Sequence, residues 1–287
     1  MPHILLKVLG PLEIQISGLP VIPGGSKPQT LLAHLCLNAN RHVSSGSLIE
    51  ATWGERPPAS ARKNLQLYVS RLRKLIGNHV ELATVGDGYQ LSAAPGEVDL
   101  ERCLQLLRLG KESDRRGAPG QAGELFLEAI GLWRGKPLSG LTQTPVMQAE
   151  AARLEQLRLG LLMEYFRSQL TIGQHVEIIP ELLAAVAAHP HQERLRVDLM
   201  LALWLSGQRH AALATYREAY QLLAADLGIP PGRELQALHQ AILADDAEAI
   251  GDIRRNRIFP LNASDGLEAA LLTESLPATR TSRCVTT

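Results

Sequence analysis

The sequence predicts a mainly α-helical chain: a small N-terminal domain in which short β-strands accompany three helices, followed by an all-α array of paired helices. Three observations carry that reading. Hydrophobic residues make up 45% of the 287 residues while aromatics supply only 4%, a Leu- and Ala-weighted composition that suits helix-on-helix packing better than a β-sandwich. Short Ile/Leu/Val runs bounded by turn residues stand near the N terminus. Gly-Gln recurs at 120–121, 173–174 and 207–208, the last two copies 34 residues apart, which is the period of tetratricopeptide helix pairs.

The elements follow in order. Residues 4–9 and 12–16 read as two strands split by Gly10-Pro11, with a third short strand around Val21 and Ile22 before Pro23-Gly24-Gly25. A helix is predicted from Lys27 to Asn38 on the apolar positions Leu31, Leu32, Leu35 and Cys36. Ser44 or Ser45 caps a second, short helix that turns Leu48, Ile49 and Trp53 inward. The stretch from Trp53 through Gly54, Glu55, Arg56, Pro57 and Pro58 must be a loop. Ser60 stands where it can cap a longer helix that ends at Ile76, before Gly77, and residues 80–84 and 89–91 flank Gly86-Asp87-Gly88 as a hairpin. Sheet, three helices and hairpin is the order of a winged helix of the OmpR type.

A Pro/Gly break at 93–96 ends this domain, 1–93, and a helical pattern starts at Asp99. The positions six and nine residues after each Gly-Gln are Phe126/Ala129, Ile179/Leu182 and Leu213/Tyr216, where paired helices would meet. A tetratricopeptide-like domain over 97–246 is therefore expected. The remainder, 247–287, with Asn262-Ala263-Ser264-Asp265-Gly266 and a Ser/Thr-rich end, reads as a mobile tail.

Zero net charge hides a division: residues 1–93 carry nine Lys/Arg against five Asp/Glu, a net of +4, whereas 94–246 carry fifteen against nineteen, a net of −4. A polyanion would meet the first domain. Cys36, Cys103 and Cys284 are too few and too scattered for a disulfide framework or a metal pair, and Cys36 reads as a core residue. Neither an export signal nor a membrane span is visible, so a cytoplasmic, nucleoid-associated protein is expected.

The helix from Ala61 to Ile76 carries the chemistry. Around its axis Leu65, Val69, Leu72 and Ile76 form a narrow core stripe, and Lys63, Leu67, Ser70 and Lys74 lie opposite, edged by Asn64 and Arg71 on one side and by Gln66 and Arg73 on the other. From Arg62 to Lys74 there is no carboxylate, although a solvated helix usually mixes signs at four-residue spacing. An exposed Leu67 is also unexpected on a merely soluble face. Arg can fork onto guanine, Asn onto adenine, and an aliphatic chain can touch a thymine methyl. Asn64, Leu67, Ser70 and Arg71 are the expected base readers; Lys27, Ser44, Lys63, Gln66, Arg73 and Lys74 are the expected phosphate contacts.

Other readings are weaker. Gly24-Gly25-Ser26-Lys27 lacks the order of a phosphate loop, His189-Pro190-His191 lacks further metal ligands, and no nucleophile elbow or paired-acid arrangement is present. No cofactor, metal or catalytic activity is expected. The alternative from another class is a helical scaffold or adaptor whose N-terminal domain binds protein, against which stand the charge division and the carboxylate-free helix.

Several ordered segments carry a family resemblance: Leu9-Gly10-Pro11-Leu12; the run 48–58 containing Trp53-Gly54-Glu55-Arg56-Pro57-Pro58; the run 65–75; Gly88-Tyr89-Gln90-Leu91; Leu132-Trp133-Arg134-Gly135-Lys136-Pro137-Leu138; His189-Pro190 with Glu193; and 226–232. Together, over residues 3 to about 246, the chain resembles the Streptomyces antibiotic regulatory protein family. That resemblance implies an activator that binds direct repeats in promoters of biosynthetic clusters as a homodimer on double-stranded DNA. It also implies recruitment of the RNA polymerase holoenzyme, with activation and oligomerisation through the helical domain and polymerase contact at Glu55 and Arg56. The chain departs from the family at the hairpin tip, where Asp87 stands and no arginine does.

Overall fold

The computed structural model describes residues 4–258, which divide into two compact units, the first ending at Gln174 and the second beginning at His175. Cys284 and residues 259–287 of the expected tail lie outside the described residues.

The first unit opens with an antiparallel sheet of β1 (Ile4–Lys7), β2 (Glu13–Ile16) and β3 (Leu19–Val21), in that order, with Leu6 opposite Ile14 and Ile14 opposite Val21. Alternation turns Ile4, Leu6 and Ile14 into the core. Helix α1 (Ser26–Leu37) follows and buries Leu31, Leu32, Leu35 and the expected Cys36. Next come β4 (His42–Ser44), α2 (Ser45–Trp53), α3 (Ala61–Ile76), β5 (Glu81–Val85) and β6 (Gly88–Ser92); the last two strands join β4 in a second antiparallel sheet of order β4-β6-β5. β4 was not expected from the sequence. Three helices and a hairpin on these sheets are the winged helix-turn-helix that the element order predicts. The unit continues into α4 (Asp99–Arg115), α5 (Pro119–Gly131) and α6 (Pro145–Thr171), with α4 on α5 and α5 on α6.

The second unit is all helical: α7 (Ile179–Ala188), α8 (Glu193–Leu205), α9 (Arg209–Leu227), α10 (Arg233–Ala244) and α11 (Ala247–Ile258). α8 packs between α7 and α9, and α10 closes on α8 and α9. His191 Nε2 lies 2.9 Å from Asp226 Oδ2, and Glu193 accepts the Gly232 amide, so two polar ties join the start of α8 and the residues before it to the end of α9 and the start of α10. Gly173 (φ 83°) and Gly207 (φ 75°) end helices in the left-handed conformation, as the repeat reading requires, but Gly120 lies inside α5 and the turn before that helix falls on Gly117 (φ 79°). Residues 247–258, expected as tail, instead form α11. Asp246 Oδ1 accepts from the amides of Glu248 and Ala249, and Ile250 is buried.

One polar cluster binds the first sheet to the helices that follow. The Asp99 carboxylate, at the start of α4, accepts from Val8 N at 2.8 Å and from Leu9 N at 3.0 Å, and Arg134 Nη2 lies 3.5 Å away. Arg134 also pairs with Glu13 at 2.6 Å and donates to Pro11 O, while its own amide donates to Leu9 O and the Leu138 amide to Gly10 O. Burial lifts the Asp99 carboxyl above the usual carboxylate range, against the pull of the two amides and Arg134. The motif Leu132-Trp133-Arg134-Gly135-Lys136-Pro137-Leu138 thus wraps the β1–β2 connection, and compactness extends well past the Pro/Gly break at 93–96.

Asp99→Ala leaves the buried Val8 and Leu9 amides without an acceptor, while Arg134 keeps Glu13 and Pro11 O, so it should lower unfolding free energy by about 2–4 kcal/mol in urea titrations. A loss below about 0.5 kcal/mol, the range of neutral surface changes, would show that the cluster does not hold the sheet. By the same reasoning, residues 1–174 should unfold cooperatively on their own, whereas a fragment cut at residue 93 should not.

Candidate nucleic-acid interface

α3 is a 16-residue helix whose buried stripe is the predicted one: Leu65, Val69 and Leu72 are 1% exposed and Ile76 is fully buried. Tyr68 at the margin stacks on Trp53 of α2, ring centroids 5.9 Å apart and planes 13° from parallel, which holds the end of one helix against the middle of the next. α1 supports α2 through His34, whose Nε2 lies 3.3 Å from Ser47 Oγ and whose burial lowers its pKa, keeping the ring neutral.

The opposite face is open. Lys63, Gln66, Leu67, Ser70, Arg71 and Lys74 are all exposed, Leu67 at 45%, and no hydrogen bond or ion pair among the described residues engages the polar five. The first turn contains Arg62 and Lys63 and no acid, so cations stand at the positive end of the helix dipole. That arrangement costs the isolated helix about 0.3–1 kcal/mol per charge, and an anion at the same place would relieve it.

Asn64 is half-buried and its amide donates to Ser60 Oγ at 3.1 Å, which leaves its carbonyl and one N–H available. Ser60 occupies the cap position, but its hydroxyl takes that amide and accepts no backbone N–H of the helix. Ser44, by contrast, does cap α2, accepting from Ser47 N at 3.2 Å.

Besides Ser44, two more of the expected phosphate contacts are engaged within the protein. Lys27 is half-buried and its Nζ donates to Thr52 O at 2.7 Å, neutralising the carbonyl end of α2. Arg73 turns to the hairpin: Nε donates to Leu82 O at 2.7 Å, Nη2 to Thr84 Oγ1 at 2.8 Å, and the guanidinium lies 5.8 Å from the Tyr89 ring centroid.

The hairpin tip is fastened at its other end. The Asp87 carbonyl accepts from both the amide and the hydroxyl of Ser45, and its carboxylate lies 3.4 Å from His42 Nε2. Gly88 allows this closeness, since a Cβ there would stand 2.0 Å from Val43 O. Sequence reasoning missed the His42–Asp87 pair because β4 is only three residues long.

Glu55 and Arg56 are exposed in the loop between α2 and α3. The foot of that loop is tied to α6: Thr144 Oγ1 donates to Ala51 O at 2.8 Å while accepting the Met147 amide as the α6 cap.

The helices of the described residues include none long and apolar enough to cross a membrane. Residues 21–91 match the family model of the transcriptional regulatory protein C terminal domain, and residues 98–243 match that of the bacterial transcriptional activator domain. Regulatory protein AfsR of Streptomyces coelicolor is 38% identical over 239 residues, which cover 83% of this chain and 24% of the relative, so the chain spans about a quarter of that protein's length. Regulatory protein DnrI of Streptomyces peucetius is 34% identical over 251 residues, 84% of this chain and 92% of the relative. The solved structure of Mycobacterium tuberculosis EmbR in complex with a low-affinity phosphopeptide superposes with a TM-score of 0.83 at 33% identity, covering 89% of this chain and 69% of that one. With an OmpR-type winged helix followed by a bacterial transcriptional activator domain, the chain belongs to the Streptomyces antibiotic regulatory protein family of transcriptional regulators.

Proposed function

We propose that this regulator activates transcription by binding double-stranded DNA through α3 laid in the major groove. The observation that carries the reading is the exposed face of α3, which holds Lys63, Gln66, Ser70, Arg71 and Lys74 with no carboxylate and no partner among the described residues. Arg71 and Asn64 supply forked donors for base edges, Leu67 an apolar contact, and Ser70 a hydroxyl. Lys63, Gln66 and Lys74 flank them toward the phosphates. Lys27 and Ser44 support α2, which positions α3 in the helix-turn-helix.

Direct repeats in promoters of a biosynthetic cluster are the proposed targets, occupied by two copies of the chain. A single winged helix buries roughly 600–1,000 Å² on DNA, so a second copy on an adjacent repeat adds needed affinity. The exposed loop with Glu55 and Arg56 is the proposed contact with RNA polymerase. The net −4 of residues 94–246 gains nothing from a phosphate backbone and suits protein contact instead. The site of action is then the nucleoid in the cytoplasm.

Duplexes selected by the full chain from a randomised pool provide the test. Arg71→Ala should cost about 1–3 kcal/mol and relax preference at one base pair, whereas Lys74→Ala should weaken binding to all sequences and flatten the salt slope by about one unit. Unchanged affinity and preference in Arg71→Ala would remove α3 from base readout. In reconstituted transcription, Glu55→Ala combined with Arg56→Ala should leave DNA affinity within twofold and lower activation. Activation equal to that of the parent would dismiss this loop as the polymerase contact.

A further inference from the structure

Arg73 stands on the basic edge of α3, yet its guanidinium faces the protein. We infer that Arg73 is a positioning residue: a strut that fixes the angle of the β5–β6 wing against α3 and thereby shapes the DNA site without holding a phosphate. The inference rests on the DNA-binding reading above for its functional consequence, though not for its geometry.

Three contacts from one side chain meet the wing. Nε donates to the Leu82 carbonyl and Nη2 to the Thr84 hydroxyl, both in β5, and the cation lies over the face of Tyr89 in β6. The planar fork matters here, because two donors at fixed separation specify an orientation that a single flexible ammonium cannot. The far end of the hairpin is tied independently, by Ser45 to the Asp87 carbonyl and by His42 to the Asp87 carboxylate. β6 is held by its short pairing with β4, but β5 is the outer strand of that sheet; fastened to α3 along β5 and to the start of α2 at the turn, the hairpin becomes an arm of fixed direction. The tip acid fits this arrangement. Asp87 serves the docking of the turn on His42, a role in which an arginine reaching for the minor groove would be misplaced.

The test compares Arg73→Lys, Arg73→Ala and Thr84→Val in the full chain. Binding is measured on duplexes selected by the parent from a randomised pool, across a salt series, alongside hydrogen exchange of residues 81–92. A strut predicts that Lys fails like Ala: both should lose about three- to tenfold in affinity at an unchanged salt slope, relax preference at base pairs flanking the α3 footprint, and speed exchange of the hairpin. Thr84→Val, which alters no charge, should move the same way to a smaller degree. A phosphate contact predicts the reverse pattern, with parental binding in Arg73→Lys, a slope lower by about one unit in Arg73→Ala, and no change in Thr84→Val; that result, or hairpin exchange unaffected by all three variants, would overturn the inference. Calorimetric unfolding and stoichiometric titration with the selected duplex normalise for folded, binding-competent protein, and Thr84→Val carries the decision if Arg73→Ala does not fold. If the parent selects no DNA at all, the DNA-binding reading fails while hairpin exchange still judges the strut.

Discussion

A helix can bury only one stripe, and in α3 that stripe is already occupied. Leu65, Val69, Leu72 and Ile76 are removed from water almost completely, each contributing on the order of 1.5–3 kcal/mol relative to exposure. A rotation of α3 by one residue, about 100°, would carry Gln66, Ser70 or Arg73 into the core and Leu65 out of it. The orientation is therefore fixed by hydrophobic burial, and the cationic face is left to solvent as a consequence. The energetic asymmetry runs one way: the cations at the helix start oppose the dipole by much less than the four core residues together stabilise the helix. The chain belongs to a family of transcriptional regulators, and this burial constraint explains which surface α3 leaves open for the proposed contact with DNA.

Around α3 the molecule uses polar ties where apolar packing alone would permit sliding. Trp53 on Tyr68, Lys27 on the Thr52 carbonyl and His34 on Ser47 set α1, α2 and α3 against one another. Thr144 joins α2 to α6, and Thr30 accepts the Thr142 amide, so the first helices of the activator domain are rooted on the helix-turn-helix. The Asp99–Arg134 cluster repeats the device at the N-terminal sheet. Within the first unit, the open face of α3 and helices α4–α6 share one scaffold, and a partner bound at the Glu55 loop would contact a segment anchored to both.

How far this was legible in the sequence depends on the length scale of each signal. α3, its core stripe and its open face were readable because sixteen residues sample the helical period several times over. β4 was not: Val43 between His42 and Ser44 is a single apolar position and defines no alternation. Arg73 and Lys27 were assigned to phosphates because their acceptors here include backbone carbonyls, which leave no trace in residue identity. The Gly-Gln dipeptide at 120–121 suggests a turn, whereas the left-handed conformation falls on Gly117. α11 was missed because Ile250, the one buried side chain among its described ones, makes a weak stripe, although Asp246 before Ala247-Glu248 was a readable cap. The resemblance of Leu132-Trp133-Arg134-Gly135-Lys136-Pro137-Leu138 to its family marked the segment, but only the coordinates assign it the grip on the β1–β2 connection.

Leu67 at the centre of the proposed groove-facing surface should lie against base pairs in the complex, and photocrosslinking reads that directly. A photoreactive phenylalanine analogue is placed at Leu67 in the full chain, with a control at Leu127 of α5, which is similarly exposed at 51%. On irradiation with a selected duplex, the account predicts a crosslink from position 67 to one or two adjacent base pairs and none from 127. No adduct from 67 under conditions where the protein is bound, or an equal yield from 127, would contradict it.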